Sequence, residues 1–309
     1  MKVKIRIGNE VKEYTGAWED HTLLEVFQEL GITQVHAPCG GNGTCKKCLV
    51  TVEGLGKVLS CQTQCKDDMC VTVAEEQKSA IAENGNCYLY PADAGEGLLA
   101  ACDIGTTTVV CHLLDGATGV RLCTVSAPNA QRSFGADVIS RIQASVDSGL
   151  DKLQSAIVDQ INGMLVQLKQ KAGRTEDIRR LAVAGNTVMS HLFCGLSPES
   201  IGVAPFTPLS LFGESYDAKQ IGIEGCETVY VVPSIAGYVG GDIVADLAAV
   251  QMHSSVLAED GEKETLMLDI GTNGEMVLGK SGSYVCCATA AGPAFEGAEI
   301  AMGMPAASG

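Results

Sequence analysis

The pattern of apolar and polar positions predicts a small mixed domain at the start of the chain. "KVKIRI" at positions 2–7 alternates between polar and apolar residues, which is typical of a strand with one buried face. "TLLEVFQELG" at 22–31 has helical spacing and ends at a glycine. "CLVTVEG", "KVLSC" and "MCVTV" are short apolar runs typical of strands. We therefore predict an N-terminal β-grasp-like domain over residues 1–75.

The pattern changes after this first segment. Residues 76–98 have no clear periodicity and carry Gly, Pro, Asn and Asp, so they are predicted to be a linker. Residues 99–309 alternate between apolar strands and helical patterns, at about 136–148 and 151–172, which indicates an α/β domain. Asp151 is the expected N-cap of the second helix.

One four-residue motif occurs twice in the α/β segment. Asp103-Ile104-Gly105-Thr106 recurs 166 positions later as Asp269-Ile270-Gly271-Thr272. Each copy ends one apolar strand and begins another, so each is predicted to be the turn of a hairpin. Only 37 residues follow the second copy. We therefore expect the second half of this domain to be reduced or incomplete.

Composition narrows the class of protein. The net charge of −16 argues against nucleic-acid binding, which needs clustered Lys and Arg. The N-terminus has no apolar core of a signal peptide, and no apolar run reaches the length of about 18 residues that a membrane span needs. Fourteen cysteines without a secretory signal indicate a reducing compartment. We expect a cytoplasmic protein with no membrane and no nucleic-acid partner.

The most specific chemical signal is the loop "CGGNGTCKKC" at 39–48. Its spacing is Cys39-x5-Cys45-x2-Cys48, and glycines between the cysteines can adopt φ > 0, as a loop that wraps a cluster closely requires. The first gap is one residue longer than the plant-type spacing and resembles the adrenodoxin-like branch of the [2Fe–2S] ferredoxins. The fourth ligand is then Cys61, Cys65 or Cys70. Cys61 is preferred, because "VLSCQT" ends an apolar strand as the last ligand does in that family.

Two other interpretations of this loop are a zinc site and a dithiol switch. Structural zinc usually uses two paired knuckles, whereas only one C-x2-C pair is present. A thioredoxin-like site does not place a third cysteine six residues upstream. Both are less favoured than a [2Fe–2S] cluster.

The repeated Asp-Ile-Gly-Thr turns suggest binding of a nucleotide. The carboxylates of Asp103 and Asp269 are candidate Mg²⁺ ligands, because each ends a buried strand. The turn residues offer N–H groups and hydroxyls to phosphate oxygens. These residues are Gly105, Thr106 and Thr107 in the first turn, and Gly271, Thr272 and Asn273 in the second. The pair resembles the two phosphate hairpins of the actin, sugar kinase and Hsp70 ATPase superfamily, which implies ATP with Mg²⁺.

Two further segments are candidates for the same site. "AVAGNTVMSHL" places Gly185, Asn186 and Thr187 where a strand leads into a helix, where N–H groups can meet an anion, although an ordinary N-cap is an equal alternative. "GGDIVADL" places Asp242 at the start of a helix, where its carboxylate can position an attacking water.

The order of motifs resembles that of the reductive activators of corrinoid-dependent methyltransferases. It rests on "CGGNGTCKKC", "VLSCQT", "DIGTTTV", "AGNTVMSHL", "GGDIVADL", "DIGTNGE" and "GPAFEGAEIAMGM". The resemblance implies an N-terminal ferredoxin-like domain, an actin-like (ASKHA) α/β domain, and ATP-dependent reduction of Co(II) corrinoid to Co(I). Members of this family are longer, which agrees with an incomplete second half.

The resemblance also implies partners. These are the corrinoid protein of a methyltransferase system and an upstream low-potential electron donor, and a homodimer is one option for the assembly. Two alternatives stay open. One is a [2Fe–2S] electron carrier with a docking domain that does not hydrolyse ATP, and the other is an actin-like small-molecule kinase with a zinc site.

Overall fold

The computed structural model describes residues 1–8, 10–32, 34–35, 37, 40–44, 46–74, 95–253, 264–271, 273–280 and 283–289. These residues form two compact units. The first contains the described residues within 1–80 and 130–152, and the second contains those within 81–129 and 153–293. The predicted linker lies almost entirely outside the described residues, and the domain boundaries stay a prediction.

The first unit is built on a five-stranded mixed sheet. Its strands are β1 (Lys2–Ile7), β2 (Glu10–Thr15), β3 (Leu49–Val52), β4 (Gly56–Leu59) and β5 (Met69–Val73). Their order in the sheet is β2-β1-β5-β3-β4. β1 and β5 are parallel, and the other neighbouring pairs are antiparallel. The alternation in "KVKIRI" is satisfied, because Val3 and Ile5 are buried while Lys2 and Lys4 are exposed.

One helix contributes to the hydrophobic core of the first unit. α1 (Leu23–Glu29) begins at Thr22, whose side chain accepts the N–H of Glu25 while the Glu25 carboxylate accepts the N–H of Thr22. This reciprocal capping box fixes the start of the helix. α1 then buries Leu23, Leu24, Val26 and Phe27 in the core of the first unit. A mixed sheet with a helix packed in its core is the predicted β-grasp-like arrangement.

A second segment belongs to the first unit. It contains a 3₁₀ turn (Ala130–Ser133) and α2 (Val138–Asp147), which has its own capping box between Asp137 and Ser140. The Gln28 amide on α1 donates to the Ser133 carbonyl oxygen over 2.8 Å.

The second unit contains a six-stranded mixed sheet. Its strands are β6 (Leu98–Ile104), β7 (Thr108–Asp115), β8 (Arg121–Pro128), β9 (Ile178–Gly185), β10 (Ser215–Asp217) and β11 (Cys226–Val231). Their order is β10-β11-β9-β6-β7-β8. β6, β9 and β11 run parallel, whereas β6, β7 and β8 form an antiparallel meander. The ends of β6 and β9 therefore meet at one edge of the sheet.

Four helices accompany these strands. They are α3 (Leu150–Ala172), α4 (Thr187–Phe193), α5 (Ala218–Ile221) and α6 (Gly241–His253). The apolar stripe on α3 is buried from Leu153 to Leu168, as its spacing predicts. The predicted N-cap is wrong: Asp151 lies inside the first turn, since the chain turns at Gly149 with φ of 105° and the helix begins at Leu150.

The second copy of the repeat lies in a separate three-stranded antiparallel sheet. It consists of β12 (Thr265–Ile270), β13 (Gly274–Lys280) and β14 (Ser283–Thr289). Val277 on β13 packs with Ile243 of α6 and with Val239, which precedes that helix. Ile104 ends β6 and Ile270 ends β12, and each of these strands pairs antiparallel with the strand that follows it. The described residues of both copies therefore lie at hairpins, as predicted, and the fold is of the predicted mixed α/β class.

Candidate functional site

Two cysteines of the predicted cluster site face each other in the first unit. Cys48 precedes β3 and Cys61 follows β4, so this hairpin brings their Sγ atoms to 3.2 Å. With metal–sulfur bonds of about 2.3 Å, two thiolates on one tetrahedral ion lie about 3.8 Å apart. Both thiols are buried. A small increase in the distance between their sulfurs would allow both to bind one iron. Cys39 and Cys45 lie outside the described residues.

The surroundings of Cys61 fit a metal-bound sulfur. Burial, followed by the neighbouring Cys48 thiol, raises the pKa of Cys61 to about 11, so its thiolate needs a nearby positive charge. The Gln62 amide and the Gly43 backbone N–H act in the opposite direction and favour the thiolate. Donors of this kind are what the sulfurs of a cluster require.

The glycines of the loop adopt the backbone conformation that the prediction needed. Gly40, Gly41 and Gly43 have φ of 64°, 89° and 74°, a region that residues with a Cβ rarely enter. Gln62 crosses this loop, because its Nε2 donates to the Gly41 carbonyl oxygen over 3.3 Å. The described residues therefore fit a [2Fe–2S] group.

The other two candidates for the fourth ligand have different neighbours. Cys65 is buried and its N–H donates to the His21 carbonyl oxygen. Cys70 lies within β5, paired with Lys4 of β1. Of the three candidates, only Cys61 has its sulfur within hydrogen-bond distance of a described cysteine of the predicted loop, which is Cys48. This contact favours Cys61 as the fourth ligand.

The first Asp-Ile-Gly-Thr turn, in the second unit, is held by two asparagines. The Asn129 amide donates to the Gly105 carbonyl oxygen over 2.7 Å, and its backbone N–H donates to the Thr107 carbonyl oxygen over 2.9 Å. The Asn186 amide donates to Thr106 Oγ1 over 3.0 Å. The turn is thereby fixed before any ligand binds, which lowers the entropic cost of binding one.

The segment around Asn186 is the predicted strand-to-helix turn. β9 ends at Gly185, and Asn186 caps α4 by accepting the Met189 N–H over 3.0 Å. The Thr187 hydroxyl donates to the Ala236 carbonyl oxygen over 2.6 Å. Since both side chains have protein partners, the geometry favours a positioning role for them. Their contact with a cofactor stays a prediction.

Close backbone packing explains the glycines in this region. A Cβ on Gly240 would lie 2.4 Å from Asn186 Cα, and a Cβ on Gly185 would lie 2.8 Å from the Ile104 carbonyl oxygen. These glycines therefore let the loop before α6 and the ends of β9 and β6 approach one another. This approach brings Asp242, at the start of α6, close enough to Asp103 for the two carboxylates to interact electrostatically.

Five carboxylates of the second unit interact electrostatically around this point. Asp103 ends β6, Asp242 and Asp246 lie one turn apart on α6, and Asp269 pairs directly with Glu275 across the second hairpin. Burial, and then Asp242, Asp246 and Asp269, raise the pKa of Asp103 to about 7. Asp103 is nevertheless reached by solvent.

The pKa values of the other three shifted carboxylates are also raised. Burial and the neighbouring aspartates raise the pKa of Glu275 to about 7 and that of Asp246 to about 6. Burial is also the main cause of the raised pKa of Asp242. Such mutual repulsion is relieved by a cation, which makes this cluster a candidate divalent-metal site.

The described carboxylates do not by themselves form a closed metal site. Within the described part of the chain, no three His, Cys, Asp or Glu side chains converge closely enough to hold a metal ion. Mg²⁺ usually keeps several waters and takes one or two carboxylates together with phosphate oxygens. Gly271 and Asn273 lie in the second turn, where the Gly271 N–H donates to the Asn273 carbonyl oxygen. Thr272 lies outside the described residues.

Three residues of this site were missed from the sequence. Asp246 lies four residues after Asp242, a spacing that places both on one helix face. Glu275 is two residues before Val277 on β13, so alternation places it on the face that packs on α6. Asn129 has no comparable signal, because its contacts with the first turn depend on tertiary structure.

The comparisons with known proteins define the class first. Residues 5–76 match a family model described as a 2Fe-2S iron-sulfur cluster binding domain. Residues 98–255 match the RACo middle region, and residues 263–309 match the C-terminal domain of RACo, the ASKHA domain. The protein thus joins an iron–sulfur domain to an ASKHA-type domain.

The family follows from these matches, since the RACo middle region alone covers half of the chain: the protein belongs to the RACo family. It is 31% identical to the corrinoid activation enzyme RamQ of Eubacterium limosum, over 94% of this chain and 62% of that protein. It is 28% identical to a [Co(II) methylated amine-specific corrinoid protein] reductase of Methanosarcina barkeri, over 68% of this chain and 39% of that protein.

A solved structure supports the fold. The reductive activator for corrinoid, iron-sulfur protein has 29% sequence identity and a TM-score of 0.59, and the match covers 98% of this chain and 65% of that one. The chain therefore spans less than two thirds of the length of these relatives. Among the described residues, no helix is both long and apolar enough to cross a membrane.

Proposed function

We propose that the protein takes part in the reductive activation of a corrinoid protein, in which one electron converts Co(II) to Co(I) with the help of ATP. The observation that carries the proposal is the combination, in one chain, of a cysteine site that fits a [2Fe–2S] group and an Asp-Ile-Gly-Thr turn that two asparagines hold beside a carboxylate cluster. The names of the relatives support the corrinoid protein as the partner.

In this proposal the cysteines divide between two irons. Cys48 and Cys61 would bind one iron, because the β3–β4 hairpin holds their sulfurs together. Cys39 and Cys45 remain for the other. When bound, the cluster supplies one electron at a time, which matches the single-electron change at cobalt. An upstream low-potential donor would replace that electron.

The second unit would bind ATP through its two hairpins. Asp103 and Asp269 would hold Mg²⁺, directly or through water, and the turns at Gly105–Thr107 and Gly271–Asn273 would contact phosphate oxygens. Asp242 would position the attacking water, since it lies within electrostatic reach of Asp103 and Asp269. Nucleotide binding or hydrolysis would drive the domain movement that makes the cobalt easier to reduce.

A stopped-flow experiment tests the coupling. The pre-reduced protein is mixed with a Co(II) corrinoid protein, with and without Mg-ATP, and Co(I) formation is followed by visible absorption. We expect ATP to accelerate formation. Equal rates would remove the coupling, and a protein purified without iron and sulfide would remove the electron-transfer role. Asp103→Ala should abolish the ATP effect while keeping the cluster absorption.

A further inference from the structure

The hydroxyl of Ser60 is a buried polar group that the fold of the first unit does not explain. Ser60 is 0% exposed, and in the described structure its Oγ has no hydrogen-bond partner. Burying a hydroxyl without a partner is destabilising. A group of this kind in a native protein calls for a partner of another sort, such as a bound ion or water.

The position of Ser60 limits what this partner can be. Ser60 is adjacent to Cys61 in a 3₁₀ turn, and its backbone N–H donates to the Cys48 carbonyl oxygen over 2.9 Å. Ser60 is therefore linked to both cysteines of the pair, to Cys61 by the peptide bond and to Cys48 by this hydrogen bond. Gln62, on the other side of Cys61, is exposed and crosses the glycine loop. Of the two neighbours of Cys61, Ser60 is thus buried and Gln62 is exposed.

A second hydroxyl in the same turn behaves differently. Thr63 Oγ1 donates to the Leu59 carbonyl oxygen over 2.8 Å, so it is satisfied by the backbone. Thr63 therefore has a hydroxyl partner in this turn, whereas Ser60 has none among the described residues. This contrast makes Thr63 a matched control for Ser60.

We propose that the Ser60 hydroxyl donates a hydrogen bond to a sulfur of the [2Fe–2S] group and thereby raises its reduction potential. Reduction adds negative charge that is shared by the sulfurs, and a donor stabilises the charged state. Ser60 thus sets the balance between accepting an electron from the upstream donor and passing it to the corrinoid. The proposal rests on the proposed function, because it requires the cluster.

The test compares the wild type with Ser60→Ala and Thr63→Ala, each purified without oxygen and assayed for iron and sulfide. A redox titration followed by electron paramagnetic resonance gives the midpoint potential. We expect Ser60→Ala to be harder to reduce. At a fixed solution potential, its ratio of reduced to oxidised cluster should fall about tenfold, which equals about 59 mV for one electron. Thr63→Ala should match the wild type.

Resonance Raman spectroscopy supplies a readout that a structural role would not change. Iron–sulfur stretching bands of the wild type should shift in D₂O because the donated proton exchanges, and the shift should shrink in Ser60→Ala. A midpoint equal to or above that of the wild type would overturn the role of Ser60 and leave the cluster intact. A wild type without iron and sulfide would overturn the proposed function and this inference together.

Discussion

Substituting Glu275 should give the second unit a pH-dependent gain in stability. Glu275 is 7% exposed and lies among three aspartates, and its pKa rises from 4.5 to about 7 in the folded protein. The folded state therefore binds more protons than the unfolded state between these values, so stability falls as pH rises. Glu275→Gln removes this loss. Its advantage should grow from about 1 kcal/mol at pH 5 to about 3 kcal/mol at pH 8.

Urea unfolding followed by circular dichroism at the two pH values measures this difference. For an m value of about 2 kcal/mol/M, the additional 2 kcal/mol or so raises the midpoint by about 1 M more at pH 8 than at pH 5. The only tryptophan, Trp18, lies in the first unit, so its fluorescence is an internal control that should not change. Glu227→Gln, at an exposed position of β11, is the matched control variant. An advantage of Glu275→Gln that is equal at both pH values would refute the argument.

Three further predictions concern other parts of the chain. Cys61→Ala should lose iron and sulfide, whereas Cys65→Ala should retain both, as measured by iron and sulfide analysis. The reverse result would assign the fourth ligand to Cys65. Asn186→Asp keeps the cap of α4 but removes the donor to Thr106, so nucleotide affinity measured by calorimetry should fall about fivefold while the thermal midpoint stays close to that of the wild type. Ile161→Ala empties a fully buried position on α3 and should cost about 2–5 kcal/mol in urea unfolding, and a smaller loss would indicate that α3 repacks.

The elements that sequence reasoning predicted are those whose signals are local. Alternation defined β1, the three-to-four-residue spacing defined α3, and a short polar turn between two apolar runs defined both Asp-Ile-Gly-Thr hairpins. The glycines of the cysteine loop were expected to adopt positive φ, and they do. Each of these features is determined by residues a few positions apart, so one sequence is enough to reveal it.

The features that escaped depend on contacts between distant segments. Asn129 reaches the first turn only because β8 returns beside β7. The raised pKa of Glu275 requires α6 and the second hairpin to come together, and nothing in "DIGTNGE" alone shows this. Ser60 could not be identified from the sequence, because its burial and its lack of a hydrogen-bond partner are properties of the folded structure.

The β3–β4 hairpin implies an order of assembly for the iron–sulfur site. Cys48 and Cys61 are only 13 positions apart and are joined by a hairpin, whereas β1 must wait for β5 before its parallel pairing can form. Local contacts close faster than distant ones during folding. The first half of the iron site can therefore form on the nascent chain before the sheet is complete. Iron that arrives at that stage would bind the two thiolates of Cys48 and Cys61. The rest of the domain would fold afterwards.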